Sequence, residues 1–299
     1  MIEIKLFGAS TLAGEYFKNE YKKNLKNSKL VSFSRSNKLD VYFDLNSNSY
    51  PKELSLKDEA LIISLAPIWL FVPFLKNYIN KINIKKIKGI LVISSTSVNT
   101  KRYSWNKFDK NLYMKLSYWE RELIKLNKKY NLKITIIRPS LIYGDIGYEE
   151  DKNLSLIIKL MKKFVVIPIP KETGLRQPIH YSQLIKCILK ISKSYLNLNS
   201  SIKSKSRLKI IDIGGDEELS YEKMLFKIKE HLLKESLLRR CFIIKIPNRI
   251  FFLILSPILI FSPKYYASIL RISVNMGGFL QSYKIHKEKK NEFPLRIKK

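Results

Sequence analysis

Residues 7–14, FGASTLAG, carry the first chemistry in the chain. Gly8 closes a short apolar stretch, IEIKLF, and Gly14 follows six residues later inside a helix-forming run. A glycine at the first position permits a tight turn, and one at the second lets helix and strand pack closely. The backbone N–H groups of Ser10, Thr11 and Leu12 lie between them, where the helix begins. There they face outward and, with the helix dipole, attract a pyrophosphate. Thr11 departs from a fully glycine-lined loop, because its β-branched side chain stands where a pyrophosphate would approach.

A glycine pair grips a phosphate only between a strand and a helix, and the flanking pattern supplies both. Apolar runs at 2–7, 30–34, 60–65, 88–94, 133–138 and 208–213 are short, rich in Ile, Val and Leu, and not alternating. That pattern predicts strands buried on both faces. Helix-length segments at 12–24, 68–80 and 112–130 lie between them. In the last, Leu112, Leu116, Trp119, Leu123 and Leu126 recur at helical spacing. Repeated strand–helix units predict right-handed crossovers and an α/β fold with a doubly wound parallel sheet.

After residue 143 the rhythm changes. A loop, YGDIGYEEDKN, leads to helices over 154–164 and 178–194, separated by the proline-bearing VVIPIPKETG. A polar linker, NLNSSIKSKS, precedes the last strand and a helix at 220–233. An apolar tail interrupted by prolines fills 241–282. The expected division is a dinucleotide-binding domain at 1–143 plus 207–215. A smaller C-terminal substrate lobe, 144–206 and 216–299, is expected over the carboxyl edge of the sheet, where open α/β sheets bind ligands.

Composition narrows the field. The chain has 299 residues, 45% hydrophobic, enough for one large core or two modest ones. Cys187 and Cys241 are far apart and in no metal-like spacing, which argues against a disulfide framework or zinc site and for a cytoplasmic protein. Glu149, Glu150 and Asp151 read as a solvated loop, so no metal is expected. No signal-like segment opens the chain, and no stretch of 18 apolar residues is free of charge. The net charge is +31, but the lysines are scattered, and no basic helix or aromatic–basic platform points to nucleic acid. Phosphate-bearing ligands suit such a charge.

The ordered set of segments resembles the extended short-chain dehydrogenase/reductase family, the NAD-dependent nucleotide-sugar epimerases, dehydratases and reductases. FGASTLAG matches two of that family's three turn glycines. VSFSRS resembles the second strand and its ribose-reading end, where Arg35, with no acidic neighbour to bind a ribose 2′-OH, suits a 2′-phosphate and favours NADP over NAD. FDLN places Asp44 at an adenine contact, and ISLAP places Leu65 and Ala66 along the cofactor. VISSTSVN puts Ser95 at the catalytic serine position. IIRPSLIYGD and GLRQPIHYSQL resemble two further signatures. In the second, the resemblance makes Arg176 a holder of nucleotide-sugar phosphates and gives His180 a packing role. IIDIGGDEELSY resembles the last strand. The resemblance covers roughly residues 1–235. It implies a Rossmann-type sheet, NADP or NAD, and a nucleotide-linked or lipid-linked sugar, and a homodimer is a further expectation.

The family's proton relay is Tyr-x-x-x-Lys on a helix, assisted by the serine. The tyrosine exchanges the substrate hydroxyl proton, and the lysine one turn later lowers its pKa. In NLYMKLSYWERELI, one register puts Met114 at the tyrosine and Tyr118 at the lysine. A shift by one puts Tyr113 at the tyrosine and Ser117 at the lysine. Neither restores the pair. Tyr103 and Lys107 match the spacing literally but lie only eight residues after Ser95. Two readings follow: a sugar-nucleotide enzyme with a rearranged relay, or a non-catalytic cofactor-binding module.

The run 250–261 is apolar except for Ser256, and Arg239, Arg240, Lys245, Arg249 and Lys264 flank it. Its 12 residues are too few to span a bilayer, and Pro257 interrupts them. A packed helix pair over the substrate site and a peripheral, interfacial membrane segment are both open readings.

Overall fold

The computed structural model describes residues 2–36, 40–104, 106–146, 154–196, 207–238 and 240–295. The loop carboxylates Glu149, Glu150 and Asp151, the linker 197–206 and Arg239 lie outside the described residues. The chain divides into two compact units. Unit 1 comprises Met1–Ser104, Asp109–Pro139 and Tyr181–Ile213; unit 2 comprises Trp105–Phe108, Ser140–His180 and Gly214–Lys299.

Among the described residues, unit 1 carries seven strands: β1 (Ile2–Phe7), β2 (Ser28–Ser34), β3 (Val41–Tyr42), β4 (Ala60–Ser64), β5 (Ile87–Ile93), β6 (Ile134–Pro139) and β7 (Leu208–Gly214). They pair in parallel in the order β7-β6-β5-β4-β1-β2-β3. Between them run α1 (Leu12–Asn24), α2 (Ile68–Ile79), α3 (Lys107–Tyr130) and α4 (Tyr181–Leu196). The central strand β4 is buried at every position, which is why its sequence does not alternate. Phe7 stacks on Phe33 with ring centroids 4.9 Å apart, and Phe71, Phe74 and Tyr78 of α2 pack with them.

Two features depart from the sequence expectation. Helix α4 belongs to unit 1, not to the smaller lobe. Tyr181 meets Tyr16 of α1 edge-on at 5.5 Å, Lys193 donates to Asn24 at 3.1 Å, and the Tyr195 hydroxyl lies 2.7 Å from that of Thr135 on β6. The apolar stretch β1 also carries a fully buried lysine. Lys5 donates to the carbonyls of Glu53 and Ser55 and sits 3.3 Å from the Glu3 carboxylate; burial pushes its pKa down.

In unit 2, Val166–Pro170 and Phe242–Ile246 form a two-stranded parallel pair. The VIPIP within VVIPIPKETG is therefore a strand despite its prolines, which a strand with a free edge accepts because no ladder donor is lost there. The helices Ser155–Lys163 and Tyr221–Lys234 bury Met161, Leu225 and Ile228 in one core with Ile169 and Phe293. The tail folds as α5 (Asn248–Leu255), α6 (Ile258–Phe261) and α7 (Pro263–Leu270).

One ion pair fixes α3 to the sheet. Arg138 on β6 donates through Nε to Glu120 Oε1 at 2.9 Å and through Nη2 to Oε2, with side chains 14% and 4% exposed. Removing one partner of a buried pair leaves an uncompensated charge. Glu120→Ala is expected to lower stability by about 3–5 kcal/mol in urea unfolding. Glu120→Leu combined with Arg138→Met is expected to recover most of that loss.

Candidate functional site

The β1–α1 turn is built by two close approaches. Gly8 has φ +78°, and a Cβ there would lie 2.7 Å from the Ala66 nitrogen and 2.9 Å from the Leu65 carbonyl carbon. At Gly14 a Cβ would lie 2.6 Å from the carbonyl oxygens of both Gly8 and Ala9. Each position therefore demands glycine for room, and the first also for backbone conformation. The Leu65 N–H donates to the Phe7 carbonyl at 2.9 Å, so Gly8, Leu65 and Ala66 share the carboxyl edge of β1 and β4.

Thr11 caps the helix. Its hydroxyl donates to the Gly8 carbonyl at 2.8 Å and accepts the Gly14 N–H at 3.1 Å. The Thr11 N–H donates to Gly8 as well, at 3.2 Å. The hydroxyl expected in the path of a pyrophosphate thus folds back onto the turn. Among the described residues, the N–H groups of Ser10, Leu12 and Ala13 find no protein acceptor. Unpaired N–H groups at a helix N-terminus are an anion site when a ligand supplies the acceptors.

At the end of β2 the sequence reading needs correction. Arg35 has an acid at hand after all, because the chain returns Asp44 to within 3.9 Å of it. The contact is loose, with side chains 65% and 36% exposed. A second acid was missed entirely. Asp40, its side chain shielded from solvent, accepts from the Ser32 hydroxyl at 2.5 Å and from Lys18 of α1 at 3.2 Å.

The candidate catalytic residues each have local partners. The Ser95 hydroxyl donates to Ser97 Oγ at 3.1 Å and accepts the Ser97 N–H at 3.1 Å. Tyr113 packs against the core of unit 1, whereas Met114 and Tyr118 are 47% and 48% exposed, one helical turn apart. Tyr103 is exposed, beside Arg102. Among the described residues no hydrogen bond joins Ser95 to Tyr103, Tyr113 or Tyr118.

A polar network at the carboxyl ends of β5, β6 and β7 was also missed. Ser94 donates to Glu120 Oε1 at 2.5 Å, and Arg138 reaches Asp212 Oδ1 at 3.4 Å. Asn99 donates to Asp212 Oδ2 at 2.7 Å. The signal was available: Glu120 falls between Leu116 and Leu123 on the apolar stripe of α3. A carboxylate on a buried stripe needs an internal cation or donor.

In unit 2, Arg176, to which the resemblance gave a substrate role, is bound to the protein's own backbone. It is buried, and its guanidinium donates to the Leu175 and Val274 carbonyls at 2.6 Å and to the Arg271 carbonyl. It also lies over the Tyr221 ring at 5.3 Å. Burial pushes its pKa down to about 10. These carbonyls take three of its five N–H donors. His180 is fully buried, with Asp145 at 3.5 Å and the Tyr143 ring edge-on at 5.0 Å, and burial holds it well below the ordinary histidine range.

No family model matches the sequence, and no curated protein matches it. Solved structures share its fold. MoeE5 in complex with UDP-glucuronic acid and NAD superposes with a TM-score of 0.60 at 14% identity, over 97% of this chain and 94% of that one. The dTDP-glucose 4,6-dehydratase of Bacillus anthracis, in complex with NAD, gives 0.59 at 14% identity, over 83% and 86%. The UDP-glucose 4-epimerase of Thermotoga maritima, with UDP-glucose, gives 0.56 at 11% identity, over 82% and 86%. The Rossmann-type sheet expected from the sequence is the fold these proteins share.

Gly14→Ala must push backbone against backbone, and is expected to destabilise by about 1–3 kcal/mol in denaturant unfolding. Thr11→Ala, which removes only the cap, is expected to cost about 1 kcal/mol in the same measurement.

Proposed function

We propose that this chain binds a nicotinamide dinucleotide at the β1–α1 turn and a sugar carried on a nucleotide or a lipid, as an atypical extended short-chain dehydrogenase/reductase. The turn carries the reading. Gly8 and Gly14 let the turn close against neighbouring backbone, and the N–H groups of Ser10, Leu12 and Ala13, at the start of a helix and without protein acceptors, suit a pyrophosphate in polarity. Leu65 and Ala66 extend the same edge and would line the cofactor. Arg35, mostly exposed and held only loosely by Asp44, is the group to read a 2′-phosphate. NADP is therefore the preferred form. The neighbours solved with NAD and with UDP-sugars support the ligand class.

The cofactor would supply reversible acceptance of a hydride. The protein's own contribution is binding and orientation. Met114 has no proton to exchange, and Tyr118 brings no fixed positive charge. Ser95 remains as a hydrogen-bond donor to a substrate oxygen. Without positioned acid–base groups, a rate loss of about 10²–10⁴ is expected from proton transfer alone. The exposed Met114 and Tyr118 equally favour a second reading, a non-catalytic NADP-binding module that regulates or assembles partners.

Calorimetric titration tests the ligand. NADPH is expected to bind more tightly than NADH, and Arg35→Ala to weaken NADPH by about 1.5 kcal/mol with little effect on NADH. Equal or tighter binding of NADH by the unmodified chain would remove Arg35 from the role. Turnover tests the relay. Met114→Tyr with Tyr118→Lys is expected to raise activity on UDP-sugars, and adding Ser95→Ala to abolish the gain. Robust activity in the unmodified protein that disappears in Tyr113→Phe or Tyr103→Phe would show that a displaced tyrosine does the work.

A further inference from the structure

We propose that the tail of unit 2 docks the protein on an anionic lipid surface, with the tip formed by α5 and α6 entering the headgroup region. The tail has two faces. Phe251 of α5 and Ala267 of α7 are buried in the protein, at 2% and 4% exposure. Leu253 and Ile254, on the other face of α5, are 73% and 61% exposed. Past the Ser256–Pro257 turn, Ile260 and Phe261 of α6 reach 82% and 86%. Exposure therefore peaks where the two helices meet the turns at Pro257 and Pro263. Water solvates four large apolar side chains in one short segment, an arrangement that marks an interaction surface.

Charge identifies the partner. From residue 236 to residue 287 the chain contains no Asp or Glu and eight Lys or Arg. Among them Arg240, Arg249 and Lys264 are exposed and bracket the apolar tip. Tyr265, 57% exposed, adds an amphipathic ring next to Lys264, of the kind that settles at headgroup level. A second copy pressed on this face would oppose like charges across an apolar contact, which disfavours self-association there. An anionic bilayer meets both demands: headgroup phosphates take the cations, and the acyl boundary takes the apolar tip.

Depth is set by length. Among the described residues no helix is long and apolar enough to cross a membrane. Helix α5 has 8 residues and α6 has 4. Such a wedge lies in the interface and does not span it. This docking needs nothing from the dinucleotide turn, so either can fail without the other.

The test is flotation of the full chain with vesicles of phosphatidylcholine alone or of phosphatidylcholine doped with phosphatidylglycerol. Flotation is expected with the anionic vesicles only, with release at high salt because exposed attraction is screened. Ile260→Glu with Phe261→Glu is expected to weaken binding at least about tenfold, by removing apolar insertion while keeping every cation. Both positions are solvent-exposed, and an unchanged melting temperature will show that the fold persists. Two results would overturn the proposal. One is no flotation on anionic vesicles at low salt. The other is a concentration-dependent dimer, lost in the same double variant, in a protein that ignores vesicles.

Discussion

Helix α1 can begin where it does only because nothing occupies the space of a Cβ at Gly8 or Gly14. Backbone lies against backbone at both points: Gly8 against the start of the loop after β4, and Gly14 against the carbonyls that end β1. The rest of unit 1 follows from that contact. With β1 lying between β2 and β4, the chain reverses its direction of growth beside it: β2 and β3 extend one way, β4 to β7 the other. Open α/β sheets take ligands at such a reversal, outside the carboxyl ends of the strands. The glycine turn stands at that end of β1, where the N-terminus of α1 carries the positive end of its dipole.

Helix α3 answers to a different constraint. Its placement depends on Glu120, which enters the polar layer at the ends of β5 and β6 and is neutralised there by Arg138. That pair fixes which turns of α3 face the sheet and which face water, and it leaves Met114 and Tyr118 on the exposed side. The exposed side thus carries Met114, which has no proton to exchange, and Tyr118, which has no fixed positive charge. The turn and the α3 anchor use different residues from Met114 and Tyr118, so a change at either of those positions leaves both intact.

The fold was legible where one kind of residue does one job. IEIKLFGASTLAG gave β1 and α1 at their observed limits, because an apolar run, a glycine and a capping threonine each restrict the backbone locally. Legibility failed where a side chain's role depends on distant partners. Lys5 looks like the polar member of a strand, yet its ammonium is held by carbonyls some 50 positions away. Arg35 looks unopposed until a later loop returns Asp44. Arg176 has the residue type for phosphate, but whether its donors are available depends on the carbonyls of 271 and 274. The prolines of VVIPIPKETG masked a strand whose partner comes more than 70 residues later. Motif resemblance specifies a side chain and its approximate place; it does not specify the contents of the hydrogen-bonding shell.

The central claim is that the Gly8–Gly14 turn is the dinucleotide grip. The most direct measurement is the backbone amide spectrum of the labelled protein as NADPH is added. The account predicts saturable shifts at Ser10, Leu12 and Ala13, with Leu65 and Ala66 following and the amides of α5 to α7 unmoved. Saturable binding with those turn amides unperturbed would contradict it, as would no binding at all.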